Sequence, residues 1–271
     1  MKVKNFLIIG ILLFIGCKKI HYYPDKEIKI EPTKLIAHRG GRNLKYRDNT
    51  LQGIKAALPH KDGIEADVQI SKNESIWLSH SPIVEDCNKS LKCFAETNDN
   101  DIINIKLCDN KDISYTNLES VLKFIADSFP QKLICIDLKA WSPCSVNSAG
   151  IEGMMDRESE VIINMASKYG LARNLLFETE TTSVLNFIKS KKSGAQTYLN
   201  SFGDFERAML IALKANYTGI SFKSNFGETL TKEKINLLHK KGLKIIVWNL
   251  LDNNEIIGLT EMGVDYIQMD L

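Results

Sequence analysis

The chain has 271 residues, 44% of them hydrophobic and 25% charged, with 35 basic and 33 acidic side chains. That is enough apolar length for one large domain with a substantial core, and it excludes a disordered or fibrous protein. The near balance of charge gives no broad electrostatic case for nucleic-acid binding, so any anion selectivity has to be local.

Residues 1–16 stand apart from the rest of the chain. Lys2 and Lys4 precede an apolar or small run from Phe6 to Gly16, which ends at Cys17, Lys18 and Lys19. The run is shorter than the about 20 residues that span a bilayer, but it has the length of a signal-peptide core. Its end, Phe-Ile-Gly-Cys, resembles a bacterial lipoprotein signal, with cleavage before Cys17 and lipid added to the Cys17 sulfur. An ordinary secretory signal with an incidental Cys17 is the alternative. Cleavage removes Lys2 and Lys4 and no acid, leaving 33 basic residues against 33 acidic. Residues 17–33 then read as a polar tether. The expected address is the bacterial cell envelope, as a membrane-anchored lipoprotein, periplasmic or on the outer surface.

Beyond the tether, short β-rich runs alternate with longer amphipathic ones. Strands are predicted at 34–37, 63–70, 133–138, 174–177, 196–199, 218–222, 243–248 and 264–269. Helices are predicted at 50–58, 117–127, 152–169, 182–189, 205–215, 232–241 and 254–262. Strands with helices between them indicate parallel βα units, and their number and length fit an α/β protein of the (β/α)8 TIM-barrel type spanning 34–271. A doubly wound open sheet is the alternative, weakened by the lack of Gly-x-Gly-x-x-Gly after the first strand. Residues 82–116 differ, being polar and rich in Asn and Asp, and read as an insertion after the second strand lying over the barrel mouth.

Five cysteines come after Cys17, at 87, 93, 108, 135 and 144. In an oxidising compartment pairing is expected, with Cys87–Cys93 closing the shortest loop and Cys135, in an apolar run, left free. A zinc site is the alternative for the cluster, without Cys-x-x-Cys or His spacing to support it.

The residues that suggest chemistry sit where a barrel's strands end. The first strand closes on His38-Arg39. The second carries Glu65 and Asp67, which at i and i+2 point the same way. His80 comes after a short extended piece, and Asp137 and Lys139 close the third strand. Two inward acids are costly to bury without a cation, and carboxylates suit a hard ion rather than zinc. A proton-transfer group, a planar guanidinium and converging acids suit metal-assisted chemistry on a phosphate: Arg39 can grip two oxygens, and imidazoles titrate near neutrality. His38 is the expected base toward the nucleophile and His80 the acid toward the leaving group; the nucleophile is either water or a neighbouring hydroxyl. Trp248 reads as a core or rim aromatic, or as part of the substrate pocket. Glu178 and Glu180 read as surface or rim charge, His60 and His239 as surface, and Asp270 as barrel rim.

In order along the chain, Ile-Ala-His-Arg-Gly-Gly, Asp-Asn-Thr, Ile-Glu-Ala-Asp-Val and a His after a short strand resemble the glycerophosphodiester phosphodiesterases. The segments at 115–122, 136–139, 242–249 and 263–270 continue the likeness, which covers about residues 34–271. The resemblance implies a (β/α)8 barrel, one divalent cation, calcium or magnesium, and hydrolysis of a glycerol-linked phosphodiester to glycerol phosphate and an alcohol. Carried onto this chain it implies Glu65, Asp67 and Asp137 as metal ligands and His38 and His80 as catalytic groups. Arg39, Asp48, Lys139 and Trp248 would contact the substrate. The chain departs from the family pattern in having Asp48 for Glu, Ser81 for Asp and Asp137 for Glu, each of which shortens or removes a carboxylate. Competing readings are cleavage of intact phospholipid, a non-catalytic diester-binding lipoprotein, and a glycosidase, which would leave His38, Arg39 and His80 without a role.

Overall fold

A computed structural model describes residues 23–26, 28–42, 45–85, 92–105, 114–139, 150–224, 227, 229–250 and 252–270. The elements in chain order are β1 (Lys34–Ala37), α1 (Leu51–Ala57), β2 (Gly63–Ile70), β3 (Ile76–Leu78), β4 (Ile83–Val84), β5 (Lys92–Cys93), α2 (Asp99–Asn104), β6 (Thr116–Asn117), α3 (Leu118–Ser128) and β7 (Leu133–Asp137). Then come α4 (Gly150–Lys168), β8 (Leu175–Thr179), α5 (Thr182–Ser190), β9 (Gln196–Ser201), α6 (Phe205–Ala215), β10 (Gly219–Lys223), α7 (Lys232–Lys240), β11 (Lys244–Trp248), α8 (Asn253–Met262) and β12 (Tyr266–Met269).

Among the described residues, strands β1, β2 and β7 to β12 run parallel in that order, and pairing of β1 with both β2 and β12 closes them into a barrel. This is the (β/α)8 architecture expected from the alternation of runs. The strands are continuous apolar stretches such as Leu-Ile-Cys-Ile in β7 and Ile-Ile-Val in β11, as burial on both faces requires. Helix starts are set by side-chain caps: Thr50, Asn117, Asp204, Thr231 and Asp252 each accept from a backbone N–H of the first turn.

Alternation along each strand divides the interior in two. Ile64, Ala66, Val68, Ile134 and Ile136 point outward into the core shared with the helices. The inward residues at the lower level, Ile36, Cys135, Leu176, Tyr198, Ile246 and Tyr266, form an apolar plug. One step further along the strands the inward residues become polar: Asp67, Asp137, Glu178 and Gln268. The barrel is therefore sealed below and charged above, and the charged layer lies at the strand C-termini, where this fold places its chemistry.

The insertion has more structure than its polar sequence implied. β3 folds back antiparallel on the outer end of β2, and β6 pairs with β3. β4 and β5 form a small ladder, and Trp77, Val84, Phe94, Ile102 and Tyr115 make a separate core. Ser71, Ser75 and Trp77 all donate to the carboxylate of Asp99. The aromatic and aliphatic residues that build this core are spread thinly among Asn and Asp, which hid it in the sequence. Cys93 is disulfide-bonded; Cys87, the partner expected for it, lies outside the described residues, as do Cys108 and Cys144. Cys135 is a free, buried thiol.

His239 is not a surface residue. It is 4% exposed, and its Nε2 lies 2.9 Å from Asp265 Oδ2, which also accepts from Ile245 N–H. The pair stitches α7 to the start of β12. Among the described residues no helix is long and apolar enough to cross a membrane.

Candidate active site

The turn after β1 is the most constrained backbone of the site. Arg39, Gly40 and Gly41 have φ of 50°, 70° and 100°, a left-handed run that only glycine adopts freely. A Cβ on Gly40 would lie 2.6 Å from Ile54 Cγ1 of α1. Arg39 carries a side chain in this conformation at a steric cost. Two hydrogen bonds hold it: its N–H donates to Glu65 Oε2 (2.7 Å), and its carbonyl accepts from Asn49 N–H (2.7 Å). The strained turn aims His38 and Arg39 over the charged layer.

Asn49 explains the Asp-Asn-Thr motif. Its Nδ2 donates to Asp67 Oδ2 (3.0 Å), and its Oδ1 accepts from Asp67 N–H (3.3 Å). Asp48, one residue earlier, accepts from Arg39 Nη1 (3.1 Å), while Thr50 caps α1. Three consecutive residues thus fix the guanidinium, an inward acid and a helix start.

Strand register places the acids. Asp67 is paired with Asp137 across β2 and β7, and Asp137 with Glu178 across β7 and β8, so the three share a level and a face. Glu65 lies one step below. Oxygens of Glu65, Asp137 and Glu178 come within 4.8 Å of one another. Glu178 was expected on the surface or rim but is 3% exposed inside the barrel. Its carboxylate accepts from Ser221 Oγ (2.5 Å) and Gln268 Nε2 (2.6 Å), which set its orientation. Asp67 is engaged differently: Lys139 Nζ lies 2.8 Å from Asp67 Oδ1, and Arg39 Nε is 3.5 Å from Oδ2. Lys139 also donates to Asp137.

The electrostatics separate these carboxylates. Burial first, and then the charges of Asp67, Asp137 and Glu178, push Glu65 well above the usual carboxylate range. Burial raises Asp137, with Lys139 opposing. Glu178 is pushed up to about 7 by burial and by Asp137. Burial also acts to raise Asp67, but Lys139 and Asn49 outweigh it and hold Asp67 low. Two buried acids, Glu65 and Glu178, converging with the partly exposed Asp137 and repelling one another form a donor set that suits a hard divalent cation.

Both predicted histidines face this layer. His38 Nδ1 donates to Asp270 Oδ1 (2.8 Å), and its Nε2 lies 4.0 Å from Glu65 Oε2. His80 is exposed at the rim, and its pKa is lowered, chiefly by loss of water around the ring, with Lys139 and Arg39 assisting against Asp67. His38, Arg39, Glu65, Asp67, His80, Asp137, Lys139 and Trp248 all line one cavity of about 420 Å³. Asp48 lines an adjoining pocket of about 220 Å³ that shares Arg39 and His80. Cys17 lies outside the described residues. Trp248 packs edge-on against Phe202 (centroids 6.0 Å apart), and Lys223 Nζ sits 5.3 Å above its ring. This gives the cavity one apolar wall opposite the acids.

Two contacts of this layer were not legible in the sequence. Glu178 ends an otherwise apolar strand, and its inward direction follows only from its register with Asp137. Asp270 is distant in sequence from His38 but adjacent once β12 closes against β1.

The model of the glycerophosphoryl diester phosphodiesterase family matches residues 38–271. No curated protein matches the sequence significantly. The fold is similar to that of a Galdieria sulphuraria protein named for glycerophosphodiester phosphodiesterase activity (TM-score 0.73, 17% identity, covering 89% of this chain and 95% of that one). It is also similar to a glycerophosphodiester phosphodiesterase from Parabacteroides distasonis (TM-score 0.67, 16%, 90% and 94%). An Oleispira antarctica phosphodiesterase solved with the product sn-glycerol-3-phosphate is similar as well (TM-score 0.71, 15%, 88% and 92%). With the family matched over nearly the whole barrel and the ordered motifs gathered at one cavity, the chain belongs to the glycerophosphoryl diester phosphodiesterase family and is a phosphoric diester hydrolase.

Proposed function

We propose that the cavity hydrolyses a glycerophosphodiester to glycerol phosphate and an alcohol by acid–base catalysis between His38 and His80, with one divalent cation, calcium or magnesium. The observation that carries this reading is the buried, mutually repelling carboxylate layer with two imidazoles beside it. Glu65, Asp137 and Glu178 would hold the cation, with Asp67 as the neighbouring acid of the set. Such an ion supplies charge to a phosphate oxygen and to the transition state.

The chain's own groups divide the remaining work. A phosphodiester is an anion and resists attack until its charge is masked. Arg39 presents a planar fork for two phosphate oxygens, and Lys139 adds a point charge from the other side of Asp67. Asp270 accepts the His38 Nδ1 proton, which leaves the lone pair on Nε2, the nitrogen facing the acids; His38 is therefore the base toward the nucleophile. His80 protonates the leaving oxygen. Phe202 and Trp248 flank the organic part of the substrate. Residues 1–16 act as a signal, and Cys17 carries the lipid that holds the enzyme to a membrane of the cell envelope.

The test is release of glycerol phosphate from glycerophosphocholine or glycerophosphoethanolamine. Turnover that stops with a chelator and returns with calcium or magnesium is the expected result. Unchanged turnover in chelator would contradict the cation, and tight binding without turnover would favour a binding protein.

A further inference from the structure

The two faces of this barrel carry opposite charge for a reason rooted in its topology. Each helix returns antiparallel to the strands, so helix N-termini share the mouth and helix C-termini share the floor with strand N-termini. First turns hold Glu152, Glu206, Glu233 and Glu255, and last turns hold Lys168, Lys189, Lys214 and Lys240. Complementing the helix dipoles accounts for these. The floor goes further: Lys34 and Lys244 begin strands and Arg173 lies in the turn before a strand, beyond the last turns of the helices, and Lys192 follows the end of α5.

Lys34, Arg173, Lys192, Lys214 and Lys240 are exposed. The floor's acids are fewer and mostly engaged. Asp25 pairs with Lys240 and Lys241, Glu31 with Lys29, and Asp62 accepts from Leu35 N–H. The mouth, by contrast, holds the first-turn acids Glu152, Glu206, Glu233 and Glu255. A molecule with balanced total charge is thus strongly polarised along its barrel axis.

The N-terminal segment joins the fold on the basic side. Lys26 N–H donates to Lys240 O (2.9 Å), Ile28 N–H to His239 O (3.3 Å), and Lys241 Nζ to Tyr23 O (2.6 Å). Gly242 makes room for this path: its φ is +77°, and a Cβ there would lie 2.7 Å from Lys26 O. Between Cys17 and Tyr23 the chain can span roughly 20 Å at most. From Gly63 at the floor to Asp67 in the charged layer, β2 rises four steps, roughly 13 Å. A membrane attachment at Cys17 therefore approaches the molecule from the floor side.

We propose that the floor of the barrel is a membrane-facing surface that rests on an anionic bilayer with the mouth turned to solution, so that the substrate arrives as a water-soluble diester and not as a lipid held in that bilayer. Orientation by the tether rests on the proposed attachment of the chain at Cys17; attraction of the basic floor to the bilayer does not depend on it. Basic side chains gain about fivefold each from an anionic surface, whereas the acidic mouth is repelled.

The full chain purified from membranes, on vesicles of phosphatidylcholine with or without phosphatidylglycerol, is treated with a water-soluble lysine-acylating reagent and read by mass spectrometry. On phosphatidylglycerol vesicles, Lys34, Lys192, Lys214 and Lys240 should react at least about threefold more slowly than on neutral ones, with Lys72 and Lys92 on the mouth side unchanged. The Lys192→Glu/Lys214→Glu variant should lose the protection at Lys34 and Lys240 while hydrolysing soluble diester at the wild-type rate. Equal reactivity on both vesicles, slowing at the mouth, or slowing by a DNA duplex but not by vesicles would overturn the proposal. Co-sedimentation of the same samples separates the two readings. A chain that leaves neutral vesicles but is protected on anionic ones refutes the lipid attachment and keeps the surface. A chain that stays on both without a difference in protection keeps the attachment and refutes the surface.

Discussion

Glu178→Gln should lower kcat/KM for a glycerophosphodiester by at least about a hundredfold and raise the calcium or magnesium concentration needed for turnover by at least about tenfold. Glutamine keeps the length of the side chain and one acceptor oxygen for Gln268, while its amide N–H would donate to Ser221 Oγ in place of the present contact, so the main change is the loss of charge. The same substitution should stabilise the cation-free protein at alkaline pH. The folded-state pKa of Glu178 is about 7 against an ordinary 4.5. Between those values the folded protein binds the proton more tightly than the unfolded chain does, so stability falls as pH rises and the loss is complete above about 7. Removing the carboxylate removes that loss. Thermal melting with and without cation at pH 5 and pH 8 measures it: the variant gains over wild type at pH 8 in chelator, gains little at pH 5, and loses its advantage when the cation is added. Wild-type turnover and an unchanged cation requirement would make Glu178 a structural acid.

His38→Ala should cost two to four orders of magnitude in kcat, in the range for a positioned acid–base group, with a smaller change in KM. The ring is held at one end by Asp270, and its other nitrogen faces the acids. Alanine therefore removes the proposed proton acceptor without touching Arg39 or Lys139, the proposed phosphate-binding pair. Because Arg39 N–H, not the imidazole, supports Glu65, cation binding should persist in the variant. A loss under tenfold, or a loss confined to KM, would remove His38 from proton transfer.

Most of the barrel was readable from residue order because parallel strands buried on both faces are short apolar runs, and the helices between them carry a clear polar face. The ends of β1, β2 and β7 were readable for the opposite reason: His38, Arg39, Glu65, Asp67 and Asp137 interrupt apolar runs where a fold of this type leaves its strands open. What escaped was set by pairing across strands. Glu178 points inward because β8 is in register with β7, which a single strand does not reveal. Asp270 meets His38 because the barrel closes. His239 is buried because Asp265, just before another strand, accepts a hydrogen bond from its ring. In the insertion, Trp77, Phe94 and Tyr115 are too scattered to show periodicity, yet they pack into one small core.

The most direct test is the position of a cation in a crystal of the full chain soaked with manganese, located from its anomalous signal. The expected result is a single peak bound by Glu65, Asp137 and Glu178, with His38 and His80 facing it across the cavity. A peak that leaves Glu178 unbound, or no peak in a protein that turns over its substrate, would contradict the carboxylate layer as the seat of the chemistry.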